Sequence, residues 1–527
     1  MFESNPSLWT ALFGGWVFYL IYGAFWRLYL SPISHVPGPR LAALTQLYEM
    51  YYDTWLGGKY EFKIMELHEK YGPIIRITPW ELHISDPDFY DTIYPGASST
   101  RRTEKYWNLV RYFGLDLCLF STIDHDLHKL RRGALSSLFG MNVVRSLQPV
   151  IQERVDAVMR RLAEYREKEK VVNANNMFAA LTNDIVETYC FARCHHRIEH
   201  PDFDPQSREA SFKGATSVHI MKHVWWVYTV ISYLPISLVK ALHTGAGLYM
   251  EQKKESREEV QKIVDGENED WRGQKQPTIF RTVLDAKLPA HERSVDRMAD
   301  DAQMTIMAGT LTTAMTSETM LFWLLAQPDT LRKLKEELQT VMPANGKIGS
   351  VPLATLESLP YLTGVVKEGL RLSYGASMRL QRIDPDNPII FTDQDTGKKW
   401  TIPAKTVVSM SALQIHHNES IFPDSKVFRP ERWLGAEGRR IDKYLVSFSK
   451  GTRNCLGMNL ALGELYLFLA NMWTLWTTPE VGPVGGEAGV LELYKTTKAD
   501  IEITGDYYIP MAAPGSVGIR MTARYLD

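Results

Sequence analysis

The stretch Phe448-Ser-Lys-Gly451-Thr-Arg453-Asn-Cys455-Leu-Gly457 offers a single cysteine on a loop pinched by two glycines, with an arginine two residues before it. The segment that follows, Leu456 to Trp476, is apolar and predicts a helix. Backbone N–H groups and the positive end of a helix favour a thiolate, so the layout suits a sulfur held against a metal. Gly451 and Gly457 permit a tight turn and a close approach of backbone to a flat cofactor. Arg453 is placed to neutralise a carboxylate at that cofactor's rim.

Other residues carry weaker signals of the same kind. Glu368-Gly-Leu-Arg371 has the i,i+3 spacing that lets two charges meet on a helix. Alone, such a pair is most often solvated. Downstream, Phe428-Arg-Pro430-Glu431-Arg432-Trp433 supplies a second arginine able to join it and pin loop to helix. Buried charges need such partners. A helical pattern runs from about Arg293 to Ala326 and contains Met307-Ala308-Gly309-Thr310-Leu311-Thr312-Thr313-Ala314, with Thr316 beyond. Threonine and glycine are poor choices for a helix interior. Close packing at Gly309 is one explanation. The other is a local opening over a cofactor, with a hydroxyl to position water or dioxygen. His128 and Arg132 lie one helical turn apart, and both can reach an anionic cofactor edge. In isolation a basic helical face is more often merely solvated. Cys190, Cys194, His195, His196 and His200 invite a zinc reading, but a one-turn cysteine spacing better fits a packed helical face.

The elements that must position these groups are mainly helical. Glu61 to Tyr71 predicts a helix, and helical periodicity covers most of Leu127 to Met342, broken near Pro201–Pro205, Pro235, Gly266–Pro277 and Pro289. Ile74–Ile77 and Trp80–Ile84 predict a hairpin about Thr78-Pro79. Further strand signals come late, at Pro388–Thr392, Trp400–Ile402 and Thr406–Met410. The fold class is therefore mainly α with a small β region.

The chain has 527 residues, 45% hydrophobic and 23% charged, with a formal net charge of −2. That balance exerts no general pull on nucleic acid. Four cysteines in so long a chain argue against a disulfide scaffold and for reducing surroundings. Leu8 to Trp26 is nineteen residues without a charge, about what a membrane-spanning helix needs. Its tryptophans and tyrosines suit the interfaces, and Arg27 and Arg40 follow it, which places the body in the cytosol. A cleaved signal peptide is a poorer match, since no obvious cleavage site follows. Pro32, Pro37, Gly38 and Pro39 then break the helix. The resulting organisation is an anchor over 1–30, a proline-rich hinge over 31–45 and a catalytic domain over 46–527.

Together these motifs resemble the cytochrome P-450 superfamily of microsomal haem-thiolate monooxygenases, over essentially the whole chain. Phe448, Gly451, Arg453, Cys455 and Gly457 meet the F-x-x-G-x-R-x-C-x-G pattern in full, and Glu368, Arg371 and Arg432 match E-x-x-R followed by P-E-R-aromatic. The style of the first hundred residues is similar to fungal secondary-metabolism members such as trichodiene oxygenase. The resemblance implies the family's helix-rich fold and haem b, with Cys455 as axial iron ligand. There a thiolate pushes electron density to favour O–O cleavage. It also implies that Arg453, Arg132, Arg382 and His128 meet the haem propionates, that Phe448 shields the sulfur, and that Thr312 serves catalysis. Glu368, Arg371 and Arg432 are implied as structural. One departure stands out: the family's oxygen helix usually reads A-G-x-(D/E)-T, and here Leu311 replaces the acid. Proton delivery must then run through Thr312, Thr313 and water.

The expected reaction is oxidation, by hydroxylation, epoxidation or desaturation, of a hydrophobic intermediate of terpenoid or polyketide type. Aromatic clusters at Tyr106–Phe120 and Trp225–Tyr233 are expected to line its pocket, the second also dipping toward a membrane surface. The resemblance implies dioxygen as co-substrate and NADPH–cytochrome reductase as electron donor, at the endoplasmic reticulum membrane. Lys129, Arg131, Arg439, Arg440, Lys443 and Lys450 are candidates for the reductase footprint. A reductase-independent haem-thiolate isomerase or dehydratase, motivated by Leu311, and a non-catalytic haem-binding sensor are the alternatives.

Overall fold

The computed structural model describes residues 6–96, 101–274, 276–343 and 346–526. The chain divides into two units, Met1–Tyr106 with Arg379–Ser411, and Trp107–Met378 with Ala412–Asp527.

The first unit begins with helix α1 (Pro6–Phe25), continued by a π-helical turn over Trp26–Leu30. Trp9–Leu30 has a mean hydropathy of 1.2 and none of it is buried. That is the length and composition of a membrane-crossing helix. The proline-rich segment is tied down by hydrogen bonds. Arg76 donates from its backbone N–H to Pro37 O at 2.7 Å and from its side chain to Arg27 O at 2.7 Å, while Arg27 donates to Leu44 O at 2.6 Å. Helix α2 (Tyr60–Tyr71) packs on a four-stranded sheet in the order Ile74–Arg76, Glu81–Ile84, Val407–Ser409, Arg382–Ile383. The first pair is antiparallel with Ile74 opposite Ile84. Ile389–Thr392 and Lys399–Ile402 form a separate hairpin. Arg379 is buried in this unit, where it donates to Glu81 and Glu61 at 2.8 Å each and also reaches Glu49.

Long helices build the second unit, among them α3 (His125–Ser136), α4 (Gln148–Glu167), α5 (Ala174–Phe191), α6 (Thr244–Val264), α7 (Val295–Ala326), α8 (Pro328–Gln339), α9 (Pro360–Ser373) and α10 (Met458–Leu475). Helix α7 runs through the middle and packs against α5, α6, α9 and α10. Central burial explains why its sequence lacks a one-sided apolar stripe. Asn173 and Asp124 cap α5 and α3 by accepting N–H bonds at 3.1 and 2.7 Å, as N-cap residues do. The strands Val171–Asn173, Arg520–Arg524, Gly489–Leu493 and Trp476–Thr477 form one sheet, and Gly505–Tyr507 with Ile509–Met511 a hairpin. Three-residue Val171–Asn173 falls inside a stretch whose periodicity predicted only helix. Its partner lies some 350 residues away at Arg520–Thr522, a pairing no local pattern contains.

Helix α7 also buries Glu318, whose carboxylate accepts from Asn175 Nδ2 at 2.6 Å. Burial pushes this carboxyl up to about 7, with only partial relief from Arg208. The unfolded carboxyl titrates near 4.5, so folding is weakened as pH rises from there through about 7, where the folded state must hold a buried charge. Glu318→Gln is therefore expected to stabilise the protein by about 3 kcal/mol above pH ~7 and hardly at all near pH ~4.5. Thermal unfolding at the two pH values checks this, and an equal gain at both would refute it.

Candidate functional site

In the second unit the loop Phe448–Gly457 is closed on itself. The Cys455 N–H donates to Phe448 O at 2.9 Å, and the Asn454 N–H to Gly451 O at 3.1 Å. Gly451 has φ +78°, a conformation glycine adopts without strain. Gly457 is the N-cap of α10, so Cys455 lies two residues before that cap. The cysteine has an open face but is walled by protein elsewhere. Burial pushes its thiol up, while the Gly457 N–H and the Arg132 guanidinium pull toward the thiolate. A Cβ built on Gly457 would meet nothing within 4 Å, so room for a flat group is left beside the sulfur.

Two arginines brace this loop. Arg132, on α3, donates to Asn454 O at 2.8 Å and to Asn454 Oδ1 at 2.6 Å, next to Cys455. Arg453 donates to the carbonyls of Thr122, Ile123 and Asp124 at 2.6, 2.6 and 3.1 Å. His128 is buried one turn before Arg132 on α3. Phe448 is half-buried against the main core. Arg382 belongs to the first unit, where it is buried, donates to Gln381 O at 2.9 Å and lies over the Tyr94 ring at 5.0 Å.

Helix α7 resolves the roles of its irregular residues. Ala308 is exposed and Thr312 half-buried, whereas Thr310, Leu311, Thr313 and Ala314 are buried. One strip of a central helix thus faces open space. The Thr312 hydroxyl donates to Ala308 O at 2.8 Å and Thr316 to Thr312 O at 3.0 Å, back-bonds that loosen a helix. Thr310 instead serves packing, since Asn183 and Thr182 of α5 donate to its hydroxyl and carbonyl at 3.0 and 2.9 Å. Gly309 also serves packing, because a Cβ there would lie 3.0 Å from Val186 Cγ2. Leu311 sits in an apolar cluster with Ala215 and Ile509, beside Phe212, Met315 and Tyr508.

The Glu368 pair is a buried network. Glu368 accepts from Arg371 at 3.0 and 2.8 Å, from Arg432 at 3.0 Å, from Trp433 Nε1 at 2.9 Å and from the Arg429 N–H at 3.0 Å. Arg371 also donates to the carbonyls of His416 and Ser425 at 2.8 and 2.6 Å.

Some expectations change. Arg131 cannot serve a docking surface, because it is buried in a bidentate pair with Glu292 at 2.8 and 2.9 Å. Arg440 is exposed but occupied by Glu437, at 2.6 Å. Trp225, Trp226 and Tyr233 are exposed, Tyr233 to 85%. The aromatic residues that do meet are Phe113, Phe120 and Tyr508, three rings edge to face at 5.4–5.9 Å. Tyr508 comes from the C-terminal hairpin, and nothing in its surroundings in the sequence marks it.

Among the described residues no three His, Cys, Asp or Glu side chains gather as they would for a bare metal ion. A metal at Cys455 must bring its other ligands with it, and an iron porphyrin does so. The loop, the two arginines and the open strip of α7 fit a haem-thiolate site. The comparisons give the family. The cytochrome P450 profile matches residues 38–475, and the chain belongs to that family. It is 42% identical to the cytochrome P450 monooxygenase tpcC of Cochliobolus heterostrophus, over 98% of this chain and 97% of that one. It is 35% identical to the tryptophan 6-hydroxylase fscE of Fusarium equiseti, over 94% and 93%. It is 34% identical to the cytochrome P450 monooxygenase TRI4 of Fusarium sporotrichioides, over 95% and 92%. The protein is an oxidoreductase of the monooxygenase type, and its family takes a small-molecule substrate, dioxygen and electrons from a redox partner.

Proposed function

We propose that this chain is a membrane-anchored monooxygenase that oxidises an apolar intermediate of fungal secondary metabolism, of terpenoid or polyketide type. The observation that carries the reading is Cys455, open on one face in a loop braced by Arg132 and Arg453, in the same unit as the accessible Ala308–Thr312 strip. Haem held by the Cys455 sulfur supplies dioxygen activation, which no side chain can. Within the second unit Arg132, Arg453 and His128 would hold its carboxylates, and Phe448 and Gly457 would flank the sulfur. Because the Thr312 hydroxyl donates inward to Ala308 O, its lone pairs are left to order water on the open side. Leu311 keeps its own face dry, so protons arrive by Thr312 and water and not through a carboxylate at position 311. The NADPH–cytochrome reductase is the electron donor, at the endoplasmic reticulum. Lys129, Arg439 and Lys443, all exposed, are the charges assigned to its docking in this reading.

Reconstitution with that reductase and product analysis by mass spectrometry tests the reading. Thr312→Val is expected to lower product formation by about 10²-fold while NADPH consumption continues. Unchanged coupling would remove Thr312 from proton delivery. Terpenoid or polyketide ligands are expected to perturb the haem spectrum, and binding of small polar ligands alone would contradict the substrate class. Leu311 favours a second reading, an isomerase or dehydratase, which turnover without NADPH and dioxygen would establish.

A further inference from the structure

We propose that Arg131, Glu292, Arg297 and Asp301 act as one positioning assembly for the segment Leu117–Asp124 and, through that segment, for Arg453. This rests on the haem-thiolate reading above, in which Arg453 meets a haem carboxylate. The guanidinium of Arg453 takes its place from three consecutive carbonyls, those of Thr122, Ile123 and Asp124. The segment carrying them is neither helix nor strand up to Asp124, so its shape must be imposed from outside.

Side chains impose it. The Leu117 N–H donates to Asp300 Oδ2 at 3.1 Å and the Leu119 N–H to Asp301 Oδ1 at 2.6 Å. Arg131 donates to Leu117 O at 3.1 Å and to Thr122 Oγ1 at 2.8 Å. Each of these anchors is itself held. Glu292 chelates Arg131 and also pairs with Arg297 at 2.7 Å, and Arg297 pairs with Asp301 at 2.9 Å. Lys253 balances Asp300 at 3.3 Å. Two guanidiniums and two carboxylates make a neutral set whose side chains are all at most a tenth exposed. Removing one member leaves a buried charge uncompensated and frees the segment. Because Arg297, Asp300 and Asp301 lie in the first turns of α7, this set ties the helix that bears Thr312 to the segment that bears Phe120 and holds Arg453.

The test is the rate at which haem leaves the purified holoprotein for excess apomyoglobin, together with KM and kcat. Glu292→Gln is expected to speed haem loss about tenfold or more, as loss of outer-shell partners does. KM is expected to rise more than kcat falls, with the thiolate spectrum intact. Arg131→Lys keeps the charge but loses the bidentate geometry, and is expected to act the same way if Glu292→Gln does not fold. Glu487→Gln is the control. It breaks the Lys335–Glu487 pair, 3.2 Å apart and equally buried in the same unit, and at matched thermal stability it is expected to leave haem loss unchanged. Wild-type haem loss in both Glu292→Gln and Arg131→Lys, or faster loss in Glu487→Gln to the same extent, overturns the assembly alone. A wild type that never binds haem through a thiolate overturns the underlying reading as well.

Discussion

Glu368→Ala is expected to cost about 3–5 kcal/mol and to prevent recovery of a folded, haem-binding protein. Its carboxylate is the only acid joined to both Arg371 and Arg432 among the described contacts, and it also takes the Trp433 indole and the Arg429 N–H. Without it, two guanidiniums stay buried with no counter-charge. The whole stability of a domain is about 5–15 kcal/mol, so the loss is decisive. Glu368→Gln keeps the volume but turns an N–H₂ toward an arginine, and should be nearly as damaging. Arg432→Lys should be milder, because a point charge still reaches Glu368 while the bonds to Pro423 O and Val427 O are lost. Thermal unfolding and haem content measure the series. Equal, small effects in all three variants would contradict a shared buried network.

Cys455→Ser is expected to do the opposite, abolishing turnover while leaving the fold. The bond that closes the loop is made by the Cys455 backbone N–H and survives the substitution. The side chain has an open face, so the change in stability should stay within about 0.5 kcal/mol. An alcohol does not ionise to replace a thiolate near neutral pH, and the electron density that favours O–O cleavage is lost with it. Product formation with reductase and NADPH, measured beside thermal unfolding, separates chemistry from folding. Retained turnover in Cys455→Ser would place the reaction elsewhere.

Much of this was legible in the amino-acid sequence because the decisive signals are local. Ten residues hold Phe448, Gly451, Arg453, Cys455 and Gly457, and the turn they predict is the one observed. The hairpin at Ile74–Ile84 was legible for the same reason, a short isoleucine-bearing run on each side of a proline turn. Distance in sequence defeats such reading. Arg131 looked like a surface cation because its partner Glu292 is 161 positions away. Thr310 and Thr312 look alike in the chain, yet one hydroxyl is spent on Asn183 of α5 and the other faces open space. Only the neighbouring helix tells them apart. Tyr508, which completes the ring cluster with Phe113 and Phe120, arrives from almost 400 residues further along.

The measurement that bears most directly on the central claim is the absorption spectrum of the ferrous, carbon-monoxide-bound protein. Wild type is expected to show the red-shifted Soret band that only a thiolate trans to the ligand produces, and Cys455→Ser is expected to lack it. A wild-type spectrum like that of a histidine-ligated haem, or a red-shifted band that persists in Cys455→Ser, would contradict the assignment of Cys455 as the iron ligand.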